Sequence, residues 1–188
     1  MYNDKNRLHE FLRDLGYWES RVTYHTRNDG SGAFTSRVEV NFADGRVVQA
    51  TGEGGRKTEA EIAASTAVLK VIHDEHPDLE VDWDEIFVEA QAGDALIKLG
   101  AYLHPDLDTA ADKSRWLQKM ESDDHLISVF DHMQASGDPD VAIFGQNLGN
   151  KRKATFVEAL VWRKFGSKWV TDAAKDGFGE LASFLRGK

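Results

Sequence analysis

The stretch "GEGGRKTEAEIAASTAVLKVI", Gly52 to Ile72, constrains this chain more than any other. A β-rich run ends in two glycines at alternate positions, and a basic pair then leads directly into an alanine-rich helix. Alanines at 60, 63, 64 and 67 keep that helix slim enough to lie close on a sheet. Its first turn leaves backbone N–H groups without intrahelical partners and carries partial positive charge. Arg56 and Lys57 add full charges at that end, so the junction suits an anion.

The flanking pattern sets the order of elements. Leu8, Phe11, Leu12 and Leu15 recur at helical spacing, which predicts an amphipathic helix over 3–16 with Gly16 as its stop. "SRVTYHTRN" alternates like a strand. "FTSRVEVNFADGRVVQATG" gives two more strands joined by Asp44-Gly45, a pair that predicts a tight primed turn. Thr58 and Glu61 have capping-box spacing, so the next helix is expected from about Thr58 to His73. Ile62, Ala63, Ala67, Val68 and Val71 are its expected apolar face. The result is α-β-β-β-α. The polar "HDEHPDLEVDWDE" reads as a linker, and helices are expected at 83–103, 110–121, 123–135, 152–165 and 168–186.

Bulk properties narrow the class. The chain has 188 residues and no cysteine, so disulfides, thiolate metal sites and cysteine nucleophiles are excluded. No apolar run approaches a membrane span, and the charged first residues do not read as a signal peptide; an intracellular setting without membrane partners is expected. Net charge is −9, and residues 1–78 alone carry 10 basic against 13 acidic side chains. A basic patch is the usual footprint of nucleic-acid binding, so any such binding has to come from local arrangement. The seven histidines do not cluster as metal ligands do, and "GQNLGN" lacks the ending of a phosphate loop.

Residues 3–73 resemble the double-stranded RNA-binding domain. Gly52, Gly54, Lys57, Ala60, Ala63, Ala64 and Ala67 carry the resemblance, against the family pattern G-x-G-x-S-K-K-x-A-K-x-x-A-A-x-x-A. It implies duplex RNA as partner, with the helix start on major-groove phosphates and the first helix and first inter-strand loop on the flanking minor grooves. The implied contacts are Glu10, Gly54, Arg56 and Lys57. There are departures. Arg56 takes the serine position, Thr58 replaces the second lysine and Glu61 replaces the third basic residue. The loop "RNDGSGAF" has no Gly-Pro-x-His.

Two later stretches resemble the ribonuclease III endonuclease domain. They are "AGDALIKLGAYL" against E-x-L-G-D-A-x-L and "KATFVEALVWRKF" against K-A-D-x-x-E-A-L-x-x-A-x-Y, with "SRWLQKMESDDHLISVF" between them resembling a family helix pair. The resemblance implies a four-carboxylate Mg²⁺ site. Here its positions are Ala90, Asp94, Thr155 and Glu158, so only Asp94 and Glu158 remain as catalytic and metal-ligating candidates. Glu89, one residue off, would be turned by about 100°. Trp162 and Phe165 are expected in the core, and Lys151, Arg152 and Lys153 form a basic helix start that could reach RNA.

The expected fold class is α+β: an α-β-β-β-α double-stranded RNA-binding-like domain over 1–78, then an all-α ribonuclease III-like helical domain over 79–188. The expected function is that of a duplex-RNA-binding, catalytically impaired protein in an RNA-processing or ribonucleoprotein assembly, with Mg²⁺ as cofactor only where nuclease activity survives. The resembled enzymes dimerise through the helix at about 90–103, which implies a homodimer or a heterodimer with a related chain. The alternatives are an active Mg²⁺-dependent endoribonuclease of duplex RNA and a protein-interaction scaffold that binds no RNA.

Overall fold

The computed structural model describes residues 3–28, 30 and 32–166. The expected helix at 168–186 lies outside the described residues. By backbone contacts the chain divides into two compact units, Met1–Val81 with Met133–Gly149, and Asp82–His132 with Asn150–Lys188.

The first unit begins with α1 (Asp4–Asp14), whose N-cap Asn3 accepts a hydrogen bond from Asn6 N. Gly16 follows at φ 82°, so it stops the helix as the sequence predicts. Strands β1 (Val22–Asn28), β2 (Phe34–Asn41) and β3 (Val47–Gly54) form an antiparallel sheet in the order β1-β2-β3. Helix α2 (Lys57–Glu75) packs on β2 and β3. Leu8, Leu12, Val38, Val40, Val48, Ala60, Ala64, Val68 and Ile72 are almost fully buried and form the core. Each such valine or leucine contributes about 1.5–3 kcal/mol by leaving water.

Three local expectations need correction. The β2–β3 connection is a three-residue loop, Ala43-Asp44-Gly45, closed by Phe42 N on Arg46 O at 2.9 Å. Gly45 has φ 89° while Asp44 stays at negative φ, which rules out a primed two-residue turn. Arg56, not Thr58, is the N-cap of α2, and it makes no side-chain capping bond; the Glu61 carboxylate that would close a capping box is held elsewhere. The buried row of α2 is Ala60, Ala64, Val68 and Ile72, with Ile62, Ala63, Ala67 and Val71 at its margins. The first half of this row is made of alanines because Gly52 and Gly54 of β3 lie directly beneath it. A Cβ on Gly52 would overlap the backbone at Ala63 and Ala64, and one on Gly54 would come within 2.7 Å of Ala60 N.

Residues 139–149 complete this unit. Val141, Phe144 and Leu148 are buried. Gly145 N donates to Leu15 O at 2.8 Å and Asn147 N to Gly16 O at 3.0 Å. The Tyr17 hydroxyl donates to Ile143 O at 2.7 Å and accepts from Ala43 N at 2.9 Å, joining this segment to the β2–β3 loop.

The second unit is helical throughout its described part: α3 (Trp83–Leu103), α4 (Ala110–Met120), α5 (Asp123–Ser136, whose last residues count with the first unit) and α6 (Asn150–Val161), ending in a π-helical turn over Trp162–Gly166. Asp82 and Thr109 cap α3 and α4. Helices α3 and α6 cross so closely that a Cβ on Gly93 would overlap the carbonyl of Glu158. Phe130 and Phe156 meet edge to face at 6.1 Å. Phe165, expected in the core, is half exposed on the terminal π-helical turn.

Candidate nucleic-acid interface

The N-terminal end of α2 presents Arg56 and Lys57, and their charges are largely paired. Arg56 and Lys57 are well exposed. Arg56 lies 4.0 Å from Glu59, and Lys57 lies 3.8 Å from Glu61. Exposed pairs of this kind are weak and easily opened. Glu61 is different, because it is buried, with 6% of its surface exposed. Its Oε2 accepts from Lys5 Nζ at 2.7 Å and its Oε1 from Thr26 Oγ1 at 3.3 Å. Thr26 Oγ1 in turn meets Ser36 Oγ at 3.0 Å. Burial alone would raise the Glu61 pKa. The Lys5 hydrogen bond and the charges of Lys5 and Lys57 outweigh it, and the carboxyl sits below its ordinary range.

The other contact candidates fall as follows. Glu10 lies on α1, partly exposed, 3.8 Å from Arg13. Gly54 has a packing requirement of its own, the close approach of β3 to α2, which the sequence reading assigned to RNA approach. In the first inter-strand loop, Asn28 Oδ1 accepts from Gly30 N at 2.7 Å.

Residues 5–72 match the double-stranded RNA binding motif. No curated protein matches the chain, and no solved structure does. The motif supports duplex RNA as a partner, and it covers all the elements from α1 through most of α2. The match does not extend to the second unit, where the ribonuclease III resemblance has no counterpart in these comparisons.

In the second unit, the basic helix start at 151–153 divides. Lys151 is exposed, Arg152 stacks 4.7 Å over the Trp83 ring, and Lys153 is buried. Lys153 Nζ donates to Asp131 at 2.6 Å, which turns it inward and withdraws it from any phosphate. Asp94 and Glu158 do come near each other at the α3–α6 crossing. Burial pushes the Glu158 pKa up, and the charges of Asp94 and Asp123 push the same way against the opposing charge of Lys98. Lys98 Nζ lies 2.7 Å from Asp94 and 4.0 Å from Glu121. These residues do not fit the Mg²⁺ site that the resemblance implies. A hard cation needs several anionic oxygens. Ala90 and Thr155 supply none, an ammonium already occupies Asp94, and no group of three acids or histidines among the described residues could hold a metal.

What sequence reasoning missed is Lys5 and the burial of Glu61. Lys5 lies 56 positions from Glu61, so no local periodicity links them. The only signal was an acid where the resembled pattern has a base.

Proposed function

We propose that this protein binds duplex RNA weakly through the α2 start and α1, without cutting it, as a catalytically impaired, ribonuclease III-like member of an RNA-processing or ribonucleoprotein assembly. The match of residues 5–72 to the double-stranded RNA binding motif carries the binding part. The exposed Arg56 and Lys57 at a helix N-terminus give that match a phosphate contact. The paired state of those cations and the net charge of −9 argue for few phosphate contacts and a shallow salt dependence. The impaired part rests on Ala90, Thr155 and the Lys98–Asp94 ion pair. Pairing with a second copy or a related chain is supported by the apolar side chains that α3 leaves exposed, Phe87, Val88, Leu99, Tyr102 and Leu103.

The test is a fluorescence titration of the full chain with an RNA duplex of about 16 base pairs, with and without Mg²⁺, followed by a gel. Binding in both conditions with no products is expected. Absence of binding removes the first half of the reading. Products that depend on Mg²⁺ and vanish in Glu158→Gln remove the second.

A further inference from the structure

We infer that Glu61 is an internal competitor for the RNA phosphate, holding Lys5 and Lys57 in ion pairs and so setting how tightly the α2 start can bind a duplex. This rests on the duplex-binding reading above. The carboxylate stands one helical turn beyond Lys57, and its two oxygens serve two different lysines, Lys5 at 2.7 Å and Lys57 at 3.8 Å. It is fixed from the sheet side by Thr26 Oγ1, itself bonded to the buried Ser36. It therefore cannot swing into solvent when a phosphate arrives, as the exposed Glu59 opposite Arg56 can. A buried acceptor is screened less by salt than a solvated one. A phosphate approaching Lys57 must share that ammonium with a carboxylate that does not leave. Lys5 is held more closely still, with its ammonium also 4.4 Å over the Tyr24 ring. The site thus carries the cations of a phosphate clamp and, locked beneath them, the anion that satisfies them.

The experiment compares Glu61→Gln with Glu59→Gln, which makes the same change in net charge a short way off. Affinity for the 16-base-pair duplex is measured from 50 to 200 mM salt, and folding is checked by circular dichroism. Glu61→Gln is expected to bind roughly three- to tenfold tighter than the wild type at 50 mM salt, with a log–log salt slope steeper by about 1 to 2, as newly freed lysines displace counterions. Glu59→Gln is expected to show a smaller gain and an unchanged slope. Where Glu61→Gln fails to fold, Glu61→Ala, which leaves no buried amide, carries the same comparison. Wild-type binding with equal affinity and slope in the two variants overturns the inference and leaves the duplex-binding reading standing. Silence of the wild type and both variants overturns the inference together with that reading.

Discussion

The ammonium of Lys5 and the carboxylate of Glu61 meet at 2.7 Å, joining the first turn of the first helix to the start of the second turn of the second. This pair is the main reason the first unit should respond to acid. Glu61 has its pKa lowered in the folded state. Its stabilisation is therefore complete above the unfolded glutamate range and is lost as the proton binds, progressively from about pH 5 downward. Asp4, lowered by hydrogen bonds from Thr66 and Arg7, adds in the same direction. Urea midpoints at pH 7 and pH 4 check this: the midpoint should fall with pH in the wild type and fall less in Glu61→Gln.

Gly52→Ala should destabilise the first unit by about 1–3 kcal/mol or more, the scale of overpacking a tight core. The added methyl would meet the Ala63 methyl at 2.7 Å and overlap the backbone beside it. Chemical denaturation reads this directly. A neutral outcome would mean that α2 does not lie as close on β3 as described.

Tyr17→Phe removes one hydroxyl that serves two backbone groups, Ile143 O and Ala43 N. A cost of about 1–3 kcal/mol is expected, because partners are left without a bond. Hydrogen exchange at Ala43 should quicken in this variant.

Much of the first unit was legible because its pattern is local. Leu8, Leu12 and Leu15 mark one helix, the alternation of Val38 and Val40 marks a strand, and Gly52 and Gly54 mark the place where helix and sheet touch. The errors came where a distant group decided the outcome. Glu61 has the spacing of a capping-box partner and is taken instead by Lys5 and Thr26. Lys153 sits in a basic run and turns inward because Asp131, 22 positions earlier, receives it. The docking of 139–149 gave no sign beyond its glycines: a Cβ on Gly16 would overlap Leu148 N and one on Gly145 would overlap Gly16 O, contacts that no local pattern announces. Among the described residues of the second unit, the four helices lie close to the expected 83–103, 110–121, 123–135 and 152–165. The Lys98–Asp94 pair is an i,i+4 spacing that could have been read as occupying the carboxylate.

Glu158→Gln should raise, not lower, the thermal stability of the chain at neutral pH. The Glu158 pKa is raised in the folded state, so its ionised form is disfavoured there; stability grows as pH falls through the folded value, and a neutral amide gives that gain at every pH. A rise in the melting temperature is the expected result, and a fall would contradict it. Millimolar Mg²⁺ should leave the wild-type melting temperature unchanged. A Mg²⁺-dependent rise that disappears in Glu158→Gln would show a metal site.

The central claim is that the start of α2 binds duplex RNA through a small number of phosphate contacts. The most direct test is the salt slope of binding to the 16-base-pair duplex, wild type against Lys57→Glu. A log–log slope of only about −1 to −2 for the wild type, and no measurable binding for Lys57→Glu, is the expected result. Equal affinity and slope for the two proteins, or no binding by the wild type at 50 mM salt, would contradict it.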